Sequence, residues 1–219
     1  MLDLKRVTLF AIYTSFDKAK TATQDFQDGE KEKILDNGLE DTIRALYTCL
    51  ESAEFGAVRF ITSKNVIDER GKDLLEDGIV CEEPSIPINN MKDYARYMIY
   101  HLHEHVVTDF VLTIQHDGFI LNPDAWRDDF FDYDYIGAPW PWREQGFVTP
   151  FGEHIAVGNG GFSLRSKKLT EVPTKVDVPF DVVAMNDFYK MFGGIGMKME
   201  TSVFIIVTSL KNKVVSLHP

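Results

Sequence analysis

Cysteine is scarce: Cys49 and Cys81 are the only two in 219 residues, and their spacing suits no metal. That excludes a disulfide-stapled scaffold and a zinc site built on thiolates. Long apolar runs are missing too. The longest near the start, Val7 to Tyr13, is far too short to cross a bilayer, and no signal-peptide cleavage pattern accompanies it. A cytoplasmic location without a transmembrane segment is therefore expected. Positive charge is in deficit, with 23 Lys and Arg against 34 Asp and Glu, a formal charge of −11. Such a field repels a nucleic acid duplex, and no local basic cluster offsets it. A small anion can still bind, given local help from a metal ion, a helix N-terminus or a few basic side chains. Internal repeats, low-complexity tracts and flexible linkers are also absent, so nothing divides the chain.

What is present reads as an ordinary globular protein, 44% hydrophobic and 26% charged, long enough for one substantial core. Arg6 to Tyr13 is a compact, partly β-branched run that reads as a buried first strand. A polar stretch over about 14–37 reads as a surface insertion leading into a helix. From Leu39 to Glu54 the apolar residues Leu39, Ile43, Leu46, Tyr47 and Leu50 recur at helical spacing, with Gly56 where that helix should stop. Ala57 to Thr62 reads as a second strand, which makes the opening a β-α-β unit of a parallel sheet. Lys72 to Ile88 suggests a short helix and strand before a proline-marked loop, and Met91 to His105 a further helix. Phe110 to Gln115 then reads as a central strand, with later strands at Phe162 to Leu164 and Val203 to Val207. The expected architecture is a single-domain α/β/α sandwich over 1–219, with a mostly parallel central sheet.

The third strand ends abruptly at His116-Asp117-Gly118. In open parallel sheets, ligands bind in the crevice beyond the carboxyl ends of the strands. A carboxylate there can help hold Mg²⁺ or Mn²⁺, which take oxygen ligands and leave room for substrate phosphates. An Asp-Gly pair after a strand is equally an ordinary turn. His101 and His105 share one helix face at i, i+4, but no third ligand accompanies them, which argues against zinc. Gly193, Gly194 and Gly196 lack the strand and helix that a nucleotide loop requires, and read as a turn.

Three blocks surround that aspartate: Gln115-His116-Asp117-Gly118-Phe119, Tyr133-Asp134-Tyr135-Ile136-Gly137-Ala138-Pro139-Trp140, and Val157-Gly158-Asn159-Gly160-Gly161-Phe162-Ser163-Leu164-Arg165-Ser166. In that order they closely resemble an uncharacterised family of glycosyltransferase-like proteins of bacteria, viruses and eukaryotes. That family is itself similar to the GT-A class, the nucleotide-diphospho-sugar transferase fold. The resemblance is dense over about Met91 to Ser166 and looser over the opening strand and helix.

The resemblance implies a metal-dependent, inverting glycosyltransferase. Its donor would be a UDP- or GDP-linked sugar, its acceptor a glycan or other hydroxyl compound, and its cofactor Mn²⁺ or Mg²⁺. Gln115 and Asp117 stand at the place of the GT-A Asp-x-Asp motif, with Gln115 replacing the first acid. Thr8 and Thr62 would contact the nucleotide beside the first two strands. Gly158, Asn159, Gly160 and Gly161 would lie beneath the sugar, where backbone without Cβ atoms can approach closely. Trp140 and Trp142 would face the acceptor, since aromatic faces pack on pyranose rings, while Tyr135 and Ile136 are expected in the core. Asp187, in Met185-Asn186-Asp187-Phe188, matches the position of a catalytic base, although an Asp there could also be a helix cap. His218 would be a late metal ligand. The Gln115 and Asn186 replacements and the short tail motivate a rival reading, a sugar- or nucleotide-binding scaffold without turnover. A nucleotidyltransferase should carry a glycine-rich, lysine-containing loop after strand one, and Thr14-Ser15-Phe16-Asp17 is neither.

Overall fold

The computed structural model describes residues 1–14, 38–89, 91–137, 147–148, 154–155 and 160–176. Its core elements are β1 (Leu2–Ile12), α1 (Gly38–Ser52), β2 (Ala53–Ile61), α2 (Lys64–Glu76), β3 (Val80–Glu82), α3 (Met91–Tyr100) and β4 (Phe110–Ile114). β5 (Tyr135–Gly137), β6 (Phe147–Val148), β7 (His154–Ile155), β8 (Ser163–Ser166), α4 (Lys167–Thr170) and α5 (Val172–Lys175) follow. Six strands form one sheet in the order β3-β2-β1-β4-β8-β5, and β6 pairs with β7 separately. β1 to β4 are mutually parallel, and β8 runs antiparallel to both of its neighbours. The fold is thus α/β with a mostly parallel sheet, as expected.

Two apolar clusters set the layers. Ile43, Leu46 and Cys49 of α1 and Val66 and Leu74 of α2 pack with Leu9, Phe60, Leu112 and Leu164 on one face of the sheet. Tyr94, Tyr97 and Met98 of α3 pack with Phe10, Ile61 and Val111 on the other. Connection handedness explains the split. β2 and β3 are added outward from β1, whereas β4 returns to β1's opposite flank, and a right-handed crossover in that reversed direction must use the opposite face.

Several boundaries differ from the sequence expectation. β2 begins at Ala53, so Gly56 lies inside a strand and is not a helix stop. Pairing runs Leu4 with Phe55 and then Thr8 with Ala57, which makes β1 bulge opposite Gly56. A Cβ on Gly56 would lie 2.1 Å from the Lys5 carbonyl oxygen, so only glycine admits the bulge there. The helix expected beyond Lys72 starts earlier, at Lys64, and α3 gives way at Tyr100 to a 3₁₀ turn over Leu102–His105. Tyr135 and Ile136 are half-buried on the edge strand β5. The polar insertion from residue 15 onward and the strand expected at 203–207 lie outside the described residues.

Cys49 illustrates how closed the α1 face is. Burial pushes its thiol up to about 11, and the Ile120 amide donating to Sγ at 3.4 Å pulls part of that back. Folding favours the neutral form, so this contribution is whole below the ordinary thiol range and is lost as pH rises through the folded value. Iodoacetamide at about pH 8 is expected to spare Cys49 in the native protein and to alkylate it in urea. Mass spectrometry of the two samples checks this, and rapid native labelling would refute it.

Candidate active site at the carboxyl edge

The strand order reverses between β1 and β4, the place where open α/β sheets leave a crevice. Ile12 ends β1 beside Ile61, and Ala11 pairs with Ile114 at the end of β4. The chain then makes a two-residue turn. The Gly118 amide donates to the Gln115 carbonyl at 3.0 Å, and the Gln115 amide donates back to the Gly118 carbonyl at 3.3 Å. His116 and Asp117 form the exposed tip. Gln115 itself is half-buried, and its side-chain amide donates to the Tyr94 hydroxyl at 3.1 Å, which ties the turn to α3. Sequence reasoning gave Tyr94 no role.

The same turn touches the glycine segment. A Cβ on Gly118 would lie 3.0 Å from Phe162 Cβ and 3.3 Å from the Gly161 carbonyl oxygen. Its φ is ordinary; among the described glycines only Gly78 has a positive value. Gly118 is therefore favoured by close approach and not by turn geometry. Gly160 and Gly161 are buried, and the Thr113 hydroxyl donates to the Gly160 carbonyl at 2.9 Å. Two segments distant in sequence, Gln115–Gly118 and Gly160–Phe162, thus meet at one edge.

Thr62 is fully buried just past β2, its amide donating to the Glu82 carbonyl at 2.9 Å. Among the described residues its hydroxyl has no hydrogen-bond partner, and neither does the buried hydroxyl of Thr14 beyond β1. Thr8 is elsewhere. It is fully buried within the sheet, paired with Val111 and bonded through its hydroxyl to Thr108 at 2.8 Å, so the expected nucleotide contact is corrected to a packing role. Trp140, Trp142, Gly158, Asn159, Asp187 and His218 lie outside the described residues, as do Gly193, Gly194 and Gly196.

Among the described residues no group of three or more His, Cys, Asp or Glu is gathered to hold a metal. His105 is engaged instead, with Nε2 2.6 Å from the Tyr97 hydroxyl and Nδ1 2.8 Å from Glu82. His101 faces Glu104 at 2.7 Å. Asp117 offers one exposed carboxylate at the carboxyl edge of the sheet. One carboxylate fits Mg²⁺ or Mn²⁺ when phosphate oxygens and water complete the shell.

Residues 80–179 match a family described as "Protein of unknown function (DUF5672)". That span holds the Asp117 turn and the whole glycine segment. No curated protein matches the chain. A solved structure similar to it is 4-diphosphocytidyl-2C-methyl-D-erythritolsynthase from Anaerococcus prevotii DSM 20548, at 12% identity and a TM-score of 0.40, covering 96% of this chain and 97% of that one. Among the described residues no helix is long and apolar enough to cross a membrane.

Proposed function

We propose that the chain is a glycosyltransferase that moves a sugar from a UDP- or GDP-linked donor to an acceptor hydroxyl. The observation that carries this reading is the approach of Gly118 to Gly161, which puts the Asp117 turn beside the glycine segment at the strand-order reversal. The donor nucleotide would lie along the ends of β1 and β2, where the Thr14 and Thr62 hydroxyls lack partners among the described residues. Asp117 would hold Mn²⁺ or Mg²⁺ at the diphosphate, with His218 as a further ligand. Bound there, the cation would neutralise charge on the departing nucleoside diphosphate. Gly158 to Gly161 and Asn159 would seat the sugar, and Trp140 and Trp142 the acceptor. Asp187 would take the acceptor's hydroxyl proton as the oxygen attacks the anomeric carbon and the bond to the diphosphate breaks. Attack from the face opposite the leaving group inverts that centre.

The test is a panel of UDP- and GDP-sugars incubated with Mn²⁺ and candidate glycan acceptors, with release of nucleoside diphosphate measured. Acceptor-dependent release that is lost in Asp187→Ala is the expected result. Calorimetry with UDP and GDP, with and without Mn²⁺, separates the rival scaffold. Binding that ignores the metal, with no turnover of any donor, would replace the enzyme reading with that one.

A further inference from the structure

We propose that Arg165 is a positioning residue: through Ser163 and Thr113 it fixes the Gly160 carbonyl and holds the glycine segment against the Asp117 turn. Arg165 is 2% exposed, and a guanidinium is rarely enclosed to that degree for packing alone. It lies on β8 opposite Val111 and Tyr135, with its cation 5.8 Å from the Tyr135 ring centroid. Its Nε donates to Ser163 Oγ at 3.0 Å. Ser163 Oγ and Thr113 Oγ1 are 2.8 Å apart, and Thr113 Oγ1 is 2.9 Å from the Gly160 carbonyl oxygen. Each hydroxyl has one proton, so the arrangement using each shortest contact runs one way, from Arg165 to Ser163 to Thr113 to Gly160. Arg165 Nη2 also reaches the same carbonyl at 3.4 Å. A fixed positive charge thus polarises a buried chain of donors that ends on one glycine carbonyl. The next carbonyl, of Gly161, is the one Gly118 approaches, so a small displacement of the glycine segment shifts the Asp117 turn with it.

The consequence for turnover rests on the sugar-transfer reading of this site, whereas the consequence for the glycine carbonyl does not. The full chain is labelled with carbonyl-¹³C glycine, and the Gly160 resonance is followed in wild type, Ser163→Ala, Arg165→Lys and Thr113→Ser. Ser163→Ala, which detaches Nε from the relay, and Arg165→Lys, which removes the planar fork, are expected to shift the resonance. Thr113→Ser retains the hydroxyl and is expected to leave it in place. With an active donor and Mn²⁺, Ser163→Ala should lower kcat by about tenfold or more with a much smaller change in donor KM. Ser163 Oγ also lies 3.3 Å from the Gly160 carbonyl oxygen, so Ser163→Ala alone does not isolate the guanidinium. An unmoved Gly160 resonance in either Ser163→Ala or Arg165→Lys overturns the proposal, and Arg165→Gln stands in for Arg165→Lys if that variant does not fold. Absence of turnover in wild type defeats the transferase reading only, because the carbonyl resonance still decides the positioning role.

Discussion

Asp117→Ala is expected to cut Mn²⁺-dependent release of nucleoside diphosphate by about a hundredfold or more, the scale of several kcal/mol of charge stabilisation at a leaving group. Charge makes this result discriminating. The protein carries a net charge of −11, so removing a carboxylate should by itself ease the approach of an anionic donor. A loss of activity therefore reports a lost cation and not a changed field. Gln115 is bonded to Tyr94, so the neighbouring side chain is already engaged. Asp117 is also exposed at the tip of a turn closed by its own backbone bonds, so the urea midpoint should hardly move. Wild-type Mn²⁺ dependence in the Asp117→Ala protein would sink the metal assignment.

Gly56→Ala is expected to lower folding stability by about 3 kcal/mol, at the upper end for overpacking by a single methyl. The added Cβ would meet the Lys5 carbonyl oxygen at 2.1 Å and Thr108 Cγ2 at 2.8 Å. The first neighbour is backbone within the sheet and cannot swing away. Relief would require the β1 bulge to move, and the same strand supplies Val7, Leu9 and Ala11 to the core. Urea unfolding should show a lower midpoint with an unchanged slope. A midpoint equal to wild type would show that the bulge relaxes without cost.

The legible parts of the fold were those with local signals. The second half of β1, from Val7, and β4 are apolar runs bounded by polar residues, and α1 carries a clear helical stripe, so each stood out from its own residues, whereas the first half of β1, with Asp3, Lys5 and Arg6, did not. α2 did not, because among its described side chains only Val66 and Leu74 are buried, too few to mark a period. The start of β2 was hidden for a different reason: the need for glycine at position 56 comes from Lys5, half a hundred residues away in effect only through sheet pairing. At the site, the Asp117 turn was legible as the end of a strand. Its supports were not. Tyr94 reads as one more apolar helix residue, and Thr113 as a β-branched strand filler, until α3 and β8 bring Gln115 and Gly160 against them. Thr8 failed in the opposite sense, since a polar residue in the first strand proved to be satisfied inside the sheet.

The reversed direction of β8 has a consequence for how such a protein can diversify. The chain leaves the sheet at Gly137, the end of β5, and returns at Gly160 beside β8, the two points held together by the pairing of Gly137 with Ser163. Chain of almost any length can be spliced between two such neighbouring anchor points while the anchors keep their spacing. Swapping that stretch between relatives offers a direct way to retarget recognition while the remaining machinery stays as it was.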